Sequence, residues 1–374
     1  MTAFTKSLEA VHQGMPELKQ TSEKATSFFE FWPSQIIYLP IVIQWLWLAL
    51  RYRSLTLPLI SNPSIYLGGM VGESKSTVLA LTGKKSSLYL APYVSIFNET
   101  HKSANIRLVE ALNKMQMLNL TFPVIGKPDI GCRGAGVKII RDKESLKNYL
   151  LRFPDQANLL LQKKISYEAE AGIFYIRHPD KQQGEIFSIT LKYAPYVIGD
   201  GQRSLRQLII DDPRANKISG IYFKRHKDKL DTVIPEKKAF RLTFAGSHCK
   251  GSIFRDGNMY ITESLRQTFD DISADIKGFN YGRFDVRFES IEKLMQGKRF
   301  HILEINGASS EATHIWDKNT DLKEVYRTLF YQYRTLFRIG NINRKAGHRP
   351  PSVWLLYKAW RDEKKLVDQY PETD

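Results

Sequence analysis

Two neighbouring segments late in this 374-residue chain carry side chains suited to holding a hard cation against a phosphate. They are Gly282-Arg283-Phe284-Asp285-Val286-Arg287-Phe288 and His301-Ile302-Leu303-Glu304-Ile305-Asn306-Gly307. Alternation along a strand puts Arg283, Asp285 and Arg287 on one face and sends Phe284, Val286 and Phe288 to a core. Glu304 and Asn306 share a face in the second segment. The stretch between them is short and polar and contains Gly297, so an antiparallel hairpin brings Asp285 beside Glu304 and Asn306. Two carboxylates and an amide are oxygen donors of the kind Mg²⁺ takes, with water and nucleotide phosphate filling its other positions. An ordinary half-solvated hairpin has the same alternation, so the upstream sequence must decide between them.

Upstream, Phe122-Pro123-Val124-Ile125-Gly126-Lys127-Pro128 predicts a strand, and Gly131, Gly134 and Gly136 follow in a loop before a second strand at Val137 to Ile140. Glycines let loop amides approach anionic oxygens closely, and Lys127 adds a point charge at the strand end. A helix is expected from Asp142 to Leu151, and a buried strand from Leu159 into Gln162-Lys163-Lys164-Ile165. Gly172 to Ile176 and Glu185 to Tyr193 predict paired antiparallel strands. Ile106, Val109, Leu112 and Met115 to Met117 recur at helical spacing between Asn98 and Met117. A long helical stripe runs through Leu322, Val325, Leu329, Leu336 and Phe337. Pro350 and Pro351 open a final basic helix reaching Val367. Tyr66 to Gly72 predicts a short strand into a glycine turn and then a helix; Glu73 and Ser74 separate Gly72 from Lys75, which excludes a P-loop.

Composition sets the class of partner. Fifty-five Lys+Arg against 39 Asp+Glu give a formal charge of +16, which favours nucleotides, acidic metabolites, nucleic acid or an anionic membrane surface. Cys132 and Cys249 form no metal or disulfide pattern, so a reducing, cytoplasmic compartment is expected, and no secretory pattern occurs between Met1 and Lys24. No charged residue occurs between Glu30 and Arg51. Pro33, Pro40, Gln35 and Gln44 interrupt that apolar run, while Trp32, Tyr38, Trp45 and Trp47 favour a headgroup boundary. Residues 28–53 can therefore lie on the cytoplasmic face of a membrane, span it, or form a buried helix.

From Phe122 to Glu311 the chain resembles the ATP-grasp superfamily, in particular D-alanine:D-alanine ligase and cyanophycin-synthetase-type carboxylate-amine ligases. The second of these likenesses is carried by Val197 to Ile209. The resemblance implies an α+β ATP-grasp fold, with two α+β subdomains clasping ATP. An N-terminal aromatic-rich segment and a C-terminal helix are additions to it. It implies that Lys127 and Lys192 bind phosphate, that Gly131, Gly134 and Gly136 form the mobile loop, and that Gln162, Lys163 and Ile165 form the adenine hinge. Glu170 is the implied ribose acid, with Glu168 as the alternative register. Asp285, Glu304 and Asn306 would hold two Mg²⁺ ions and Arg283 would contact the transferred phosphate. The usual segment bearing the first phosphate lysine is shortened, leaving Lys102 as its candidate, and Gly68-Gly69 with Glu73 and Ser76 is similar to a substrate-binding loop. Ser309, Ser310, Glu311 and His314 are expected to wall the acceptor pocket, His314 alternatively capping the next helix. His248, beside Cys249 and Lys250, lies in a turn before Ser252 and is a further substrate candidate.

The expected activity is ADP-forming amide ligation of a small carboxylate and an amine through an acylphosphate. The alternatives are an ATP-grasp phosphotransferase and a basic membrane- or nucleic-acid-binding protein with a degenerate ATP site. The intact trio Asp285, Glu304 and Asn306 argues against a degenerate ATP site, and nucleic acid is not the expected partner. Four regions are expected: residues 1–60, with the possible membrane-interfacial helix; 61–118, preceding the ATP-grasp part; 119–345, the ATP-grasp domain; and 346–374, the basic helix.

Overall fold

The computed structural model describes residues 5–18, 26, 27, 29, 32–132, 134–244, 246, 248 and 251–373, the side chains of Glu9 and Ser34 apart. Cys249 and Lys250 lie outside the described residues, as do residues 28, 30 and 31 of the aromatic segment. The architecture is mixed helix and antiparallel sheet, as the sequence implied. A four-stranded sheet has the order β2 (Tyr93–Asn98), β5 (Ala157–Lys163), β3 (Val124–Pro128), β4 (Lys138–Ile140). A five-stranded sheet has the order β10 (Ile253–Asp256), β7 (Glu185–Tyr193), β6 (Ala169–Ile176), β11 (Tyr281–Phe288), β12 (Phe300–Asn306). A small sheet joins β1 (Thr5–Ser7), β9 (Lys238–Arg241) and β8 (Tyr196–Ile198).

The four-stranded sheet buries one face under α3 (Ala104–Met117) and α4 (Lys143–Arg152), with Ala111, Met115, Leu146 and Leu150 packed on Val94, Val124, Ile140 and Leu159. Asp142 and Ser145 form the capping box that starts α4. The inward face of α3 is rotated from the apolar stripe expected: Ile106, Val109 and Met117 are exposed, while Arg107 is buried. Arg107 donates to Asn98 Oδ1 at 2.9 Å and to the Leu150 carbonyl at 3.0 Å, and hydrogen bonding thereby outweighs apolar periodicity. Because β2 pairs with β5 over six residues, the boundary expected at 118/119 falls inside this sheet.

In the five-stranded sheet Phe284, Val286 and Phe288 face a core shared with Leu265, Phe269 and Ile272 of α7 (Glu263–Ala274). The expected alternation of β11 holds. Between β11 and β12 the chain makes the short helix α8 (Ile291–Met295) before Gly297, which has φ +68°. The opposite face of the sheet meets α9 (Leu322–Lys345), whose Leu336 and Ile339 pack with Phe174, Ile176 and Tyr281. Residues 57–60 also lie on α9: a Cβ at Gly340 would sit 2.3 Å from the Leu57 carbonyl oxygen, so only glycine permits the approach.

Along α9 runs α1 (Ser34–Tyr52), which continues through Pro40. Ile41 packs with Val325 and Leu329, Leu48 with Phe337, and Gln44 donates to the Phe330 carbonyl at 2.9 Å. The N-terminal segment is thus fastened to the remainder of the fold. Tyr66–Gly69 forms a 3₁₀ turn where a strand was expected, Leu67 and Gly68 having positive φ. Next comes α2 (Lys75–Leu79), N-capped by Ser74. The last helix, α10 (Val353–Val367), starts at the cap Ser352.

Candidate functional site

Pairing across the large sheet sets the chemistry. Asp285 lies opposite Glu304, and Arg283 opposite Asn306; a register shift follows directly after Asp285. On the other side of β11, Asp285 meets Gly172 and Arg287 meets Glu170, and Glu170 in turn faces Lys192 on β7. These charges border a cavity of about 1300 Å³ between the two larger sheets. Lys127, Gly131, Gly134, Gln162, Lys163, Ile165, Glu170, Lys192, Arg283, Asp285, Glu304 and Asn306 all line it, as do His248, Ser309, Ser310 and Glu311.

The floor is an ion-pair lattice. Asp285 Oδ1 accepts from Arg283 Nε at 2.8 Å and lies 2.9 Å from Lys192 Nζ. Lys192 Nζ also reaches Glu170 at 3.4 Å, and Arg287 reaches the other Glu170 oxygen at 3.6 Å. Burial alone would raise the Asp285 pKa, but Arg283 and Lys192 outweigh it and hold the carboxyl well below its ordinary range. A Cβ on Gly172 would come within 2.9 Å of Arg283 Cδ and 3.3 Å of Asp285 Oδ1. The bare backbone there leaves room for the Arg283–Asp285 pair. Above this floor Lys127 donates to the Leu303 carbonyl at 2.9 Å, and burial pulls its pKa down to about 8 despite the opposing charge of Glu304.

The donor set fits Mg²⁺. Asp285 and Glu304 are directly paired, and the Asn306 amide nitrogen is buried without a hydrogen-bond partner, so the amide is free to turn its oxygen toward a cation. Among the described residues no group of three or more His, Cys, Asp or Glu converges as a metal cluster. A site of two carboxylates and an amide suits an ion that takes its remaining ligands from phosphate and water.

Several expected positions differ. Lys102 is not in the cavity; it pairs on the surface with Glu99 at 2.6 Å and Glu110 at 2.9 Å. Lys75 lines the cavity, donating to the Gly131 carbonyl at 2.7 Å and lying 3.6 Å from Glu304. Glu168 points away, into a cluster with Lys6, Tyr196 and Arg241, which leaves Glu170 as the acid at the cavity. His314 is buried in the turn 313–316 and does not line the cavity, and the cap of α9 is Asp321. Gly136 stands behind the loop, its N–H donating to Thr373 Oγ1 at 3.1 Å.

Glu73, expected only in a loop similar to a substrate-binding one, belongs to the cavity, and sequence reasoning missed two of its walls. Glu73 lines the cavity, and burial, reinforced by Glu304 and opposed by Lys75, pushes its pKa up to about 8. The start of α1 supplies Ile37 and Tyr38, with Trp32 just before it, the Tyr38 hydroxyl donating to Glu311. The α10 helix supplies a wall through Val353, Tyr357 and Trp360. Glu73 and Lys75 had a signal in the Gly-Glu-Ser-Lys sequence around the Ser74 cap; the walls from α1 and α10 had none, because they depend on long-range packing.

No known protein-family profile matches the chain, and no curated protein matches it. Solved structures similar to it include D-alanine–D-alanine ligase from Bacillus anthracis, at 12% identity and TM-score 0.41, covering 76% of this chain and 72% of that one. D-cycloserine synthetase matches at 9% identity and TM-score 0.37, over 70% of each chain. The bifunctional glutathione synthetase from Pasteurella multocida matches at 15% identity and TM-score 0.36 over 69% of this chain, which spans only 36% of that enzyme.

Proposed function

We propose that this protein is an ATP- and Mg²⁺-dependent ligase of the ATP-grasp kind, joining a carboxylate to an amine through an acylphosphate. The observation carrying this reading is the cross-strand set Arg283–Asn306 and Asp285–Glu304, facing Lys127, Lys192 and the glycine loop across one cavity. Without nucleotide, Asp285 is the anion that balances Lys192 and Arg283. A triphosphate can replace it there, which frees Asp285 while the cations keep a counter-charge. Asp285, Glu304 and Asn306 would hold Mg²⁺, which when bound supplies charge neutralisation at phosphate oxygens.

In the first step a substrate carboxylate oxygen bonds to the γ-phosphorus of ATP and the bond to the β-phosphate oxygen breaks, releasing ADP. Lys192 and Arg283 stabilise the charge spread over the transferred group. An amine then bonds to the acyl carbon, phosphate leaves with its electron pair, and the amine proton passes to solvent. Arg283 donates to the Glu311 carbonyl at 3.1 Å, so its fork reaches from the phosphate end toward the acceptor end and can meet the developing oxyanion. Screening carboxylates with ATP, Mg²⁺ and hydroxylamine tests the reading. A hydroxamate formed together with ADP is expected; a stable phosphorylated product without hydroxamate would replace ligation by phosphotransfer.

Membrane attachment has separate support. Among the described residues one helix, Gln35–Tyr52, is long and apolar enough to cross a membrane by length and composition. Its inner side is occupied by α9, whereas Ile36, Leu39, Ile43, Leu46 and Leu50 are 53–79% exposed on the other. A helix whose inner side is packed on an amphipathic helix of the folded domain lies in the interface better than it spans. Arg51 and Arg53 at its end complement anionic headgroups at the cytoplasmic face. Replacing Leu39, Ile43 and Leu46 together by Asp is expected to cut co-flotation with phosphatidylserine vesicles at least about tenfold; equal flotation of both proteins would remove the membrane-face proposal.

A further inference from the structure

We propose that the amine substrate is an amphiphile, its cationic head meeting Glu311 and its apolar tail lying along a wall formed by α9, Met70 and α10. The role of this amine in amide formation rests on the ligase reading, whereas the binding site itself does not. The cavity of about 1300 Å³ exceeds the ~300–1,000 Å³ that usually encloses one ligand, as a site shared by a nucleotide and a second substrate requires, and beyond the sheet floor most of its lining is apolar or aromatic, with Glu73, Lys75, Glu363 and Lys364 as the charged exceptions.

That lining runs over adjoining apolar clusters. Met70 packs against the cluster that holds Leu336 of α9 and also against Leu59, Leu67 and Ala359, on which Leu356 of α10 packs as well. Tyr333 packs against the first of these clusters and, with Tyr38, against Ile41, Val325 and Leu329. At the far end Thr56 donates to the Pro351 carbonyl at 2.7 Å, which fastens the entry of α10 just beyond the end of α1. Helical spacing aligns Val353, Tyr357 and Trp360 on the cavity side of α10, yet they remain 52%, 47% and 50% exposed. Of the 15 residues in α10 only Ala359 is buried. A strongly amphipathic helix that spends its aromatic face on a cavity wall gains little from protein packing there; an apolar ligand would cover that surface.

The head is assigned by charge. Phosphates and the substrate carboxylate belong with the cations on the sheet floor. Glu311 adjoins Arg283, which donates to its carbonyl, and its carboxylate is held by the Tyr38 hydroxyl; Trp316 and Tyr333 pack on the same cluster as Tyr38 and line the cavity. A carboxylate among aromatic rings suits an ammonium group. A net charge of +16 repels cations at long range, so such a head requires local recognition of this kind. The ammonium would give one proton to the Glu311 carboxylate, and the neutral amine so formed would stand beside Arg283, next to the acyl carbon it must attack.

Calorimetric titration of the full chain, without nucleotide and below micelle concentrations, tests this with butylamine, hexylamine, octylamine and octanol. Affinity is expected to rise up to about fourfold per methylene, and octylamine to bind at least about tenfold tighter than octanol. Tyr357→Ser with Trp360→Ser should flatten the chain-length dependence. Glu311→Gln should remove the advantage over octanol while keeping the dependence. Leu46→Asp, on the outer side of α1, should change neither. No chain-length dependence, equal binding of octanol, or a dependence untouched by the α10 variants but lost in Leu46→Asp would each overturn the proposal. Amphiphile binding with no hydroxamate or ADP from any acid would reject the ligase reading alone.

Discussion

Asp285→Asn is expected to lower ADP formation at least about a thousandfold, because in the proposed mechanism it removes one of the oxygen charges that would hold the metal and unbalances the cations that would meet the phosphate. The substitution keeps the shape of the side chain, so the loss reports charge. In the nucleotide-free protein Asp285 faces Arg283 and Lys192 within 2.9 Å. Lys192 then retains Glu170 at 3.4 Å, and Arg283 retains the Glu311 carbonyl at 3.1 Å. Leaving buried partners without their counter-charge costs roughly 3–5 kcal/mol, of which these remaining contacts recover part. A lower melting temperature is therefore expected without nucleotide. Added ATP should recover much of that loss if the triphosphate takes the place of Asp285 as the balancing anion. Activity assays and thermal melts on the same preparation separate the two effects. Turnover within tenfold of the parent would refute the placement of Asp285 at the reacting phosphate.

The floor of this site was legible in the sequence because its residues are local to strands. Period-two alternation put Arg283, Asp285 and Arg287 on one side of β11, and glycine with proline marked the loop after β3. The same reasoning failed where distant chain segments meet. On α3 the expected inward face held for Leu112 and Met115 but not for Ile106, Val109 or Met117, where one buried arginine, Arg107, satisfied by Asn98 and Leu150, turns the face. Apolar periodicity carries no information about such partners. Lys75 replaces Lys102 at the cavity because the turn 66–69, with positive φ at Leu67 and Gly68, folds residues 73–75 back over β12. That turn was taken for a strand from its apolar start. The aromatic segment was correctly singled out as unusual, but composition could not reveal that its inner side is spent on α9 and its first turn on the cavity. Nor could the basic character of α10 indicate that its aromatic residues form a wall of the site.

Nucleotide affinity should weaken as pH rises through 8, and two groups at the cavity give the sign. Burial holds Lys127 at about 8, so above that pH the ammonium proposed to face phosphate loses its proton. Burial, with Glu304, holds Glu73 up at about 8, so in the same interval a neutral carboxyl becomes an anion. Both changes subtract positive charge where a triphosphate would sit. If binding requires protonated Lys127, affinity for a non-hydrolysable ATP analogue with Mg²⁺ falls about thirtyfold between pH 7 and 9.5 from that group alone. Lys127→Arg keeps its charge across this range and should flatten most of the dependence, and Glu73→Gln should remove the remainder. Stability without nucleotide moves differently. The raised pKa of Glu73 gives a contribution fully present below about 4.5 and lost as pH rises through 8; the lowered pKa of Lys127 makes its charged form a liability that is relieved from about 8 toward 10.5. From these two groups a shallow minimum in melting temperature is expected near pH 8, where nucleotide binding begins to fail. Affinity unchanged from pH 7 to 9.5 in the parent protein would show that Lys127 does not meet the phosphate, and the cationic cradle would then reduce to Lys75, Lys192 and Arg283.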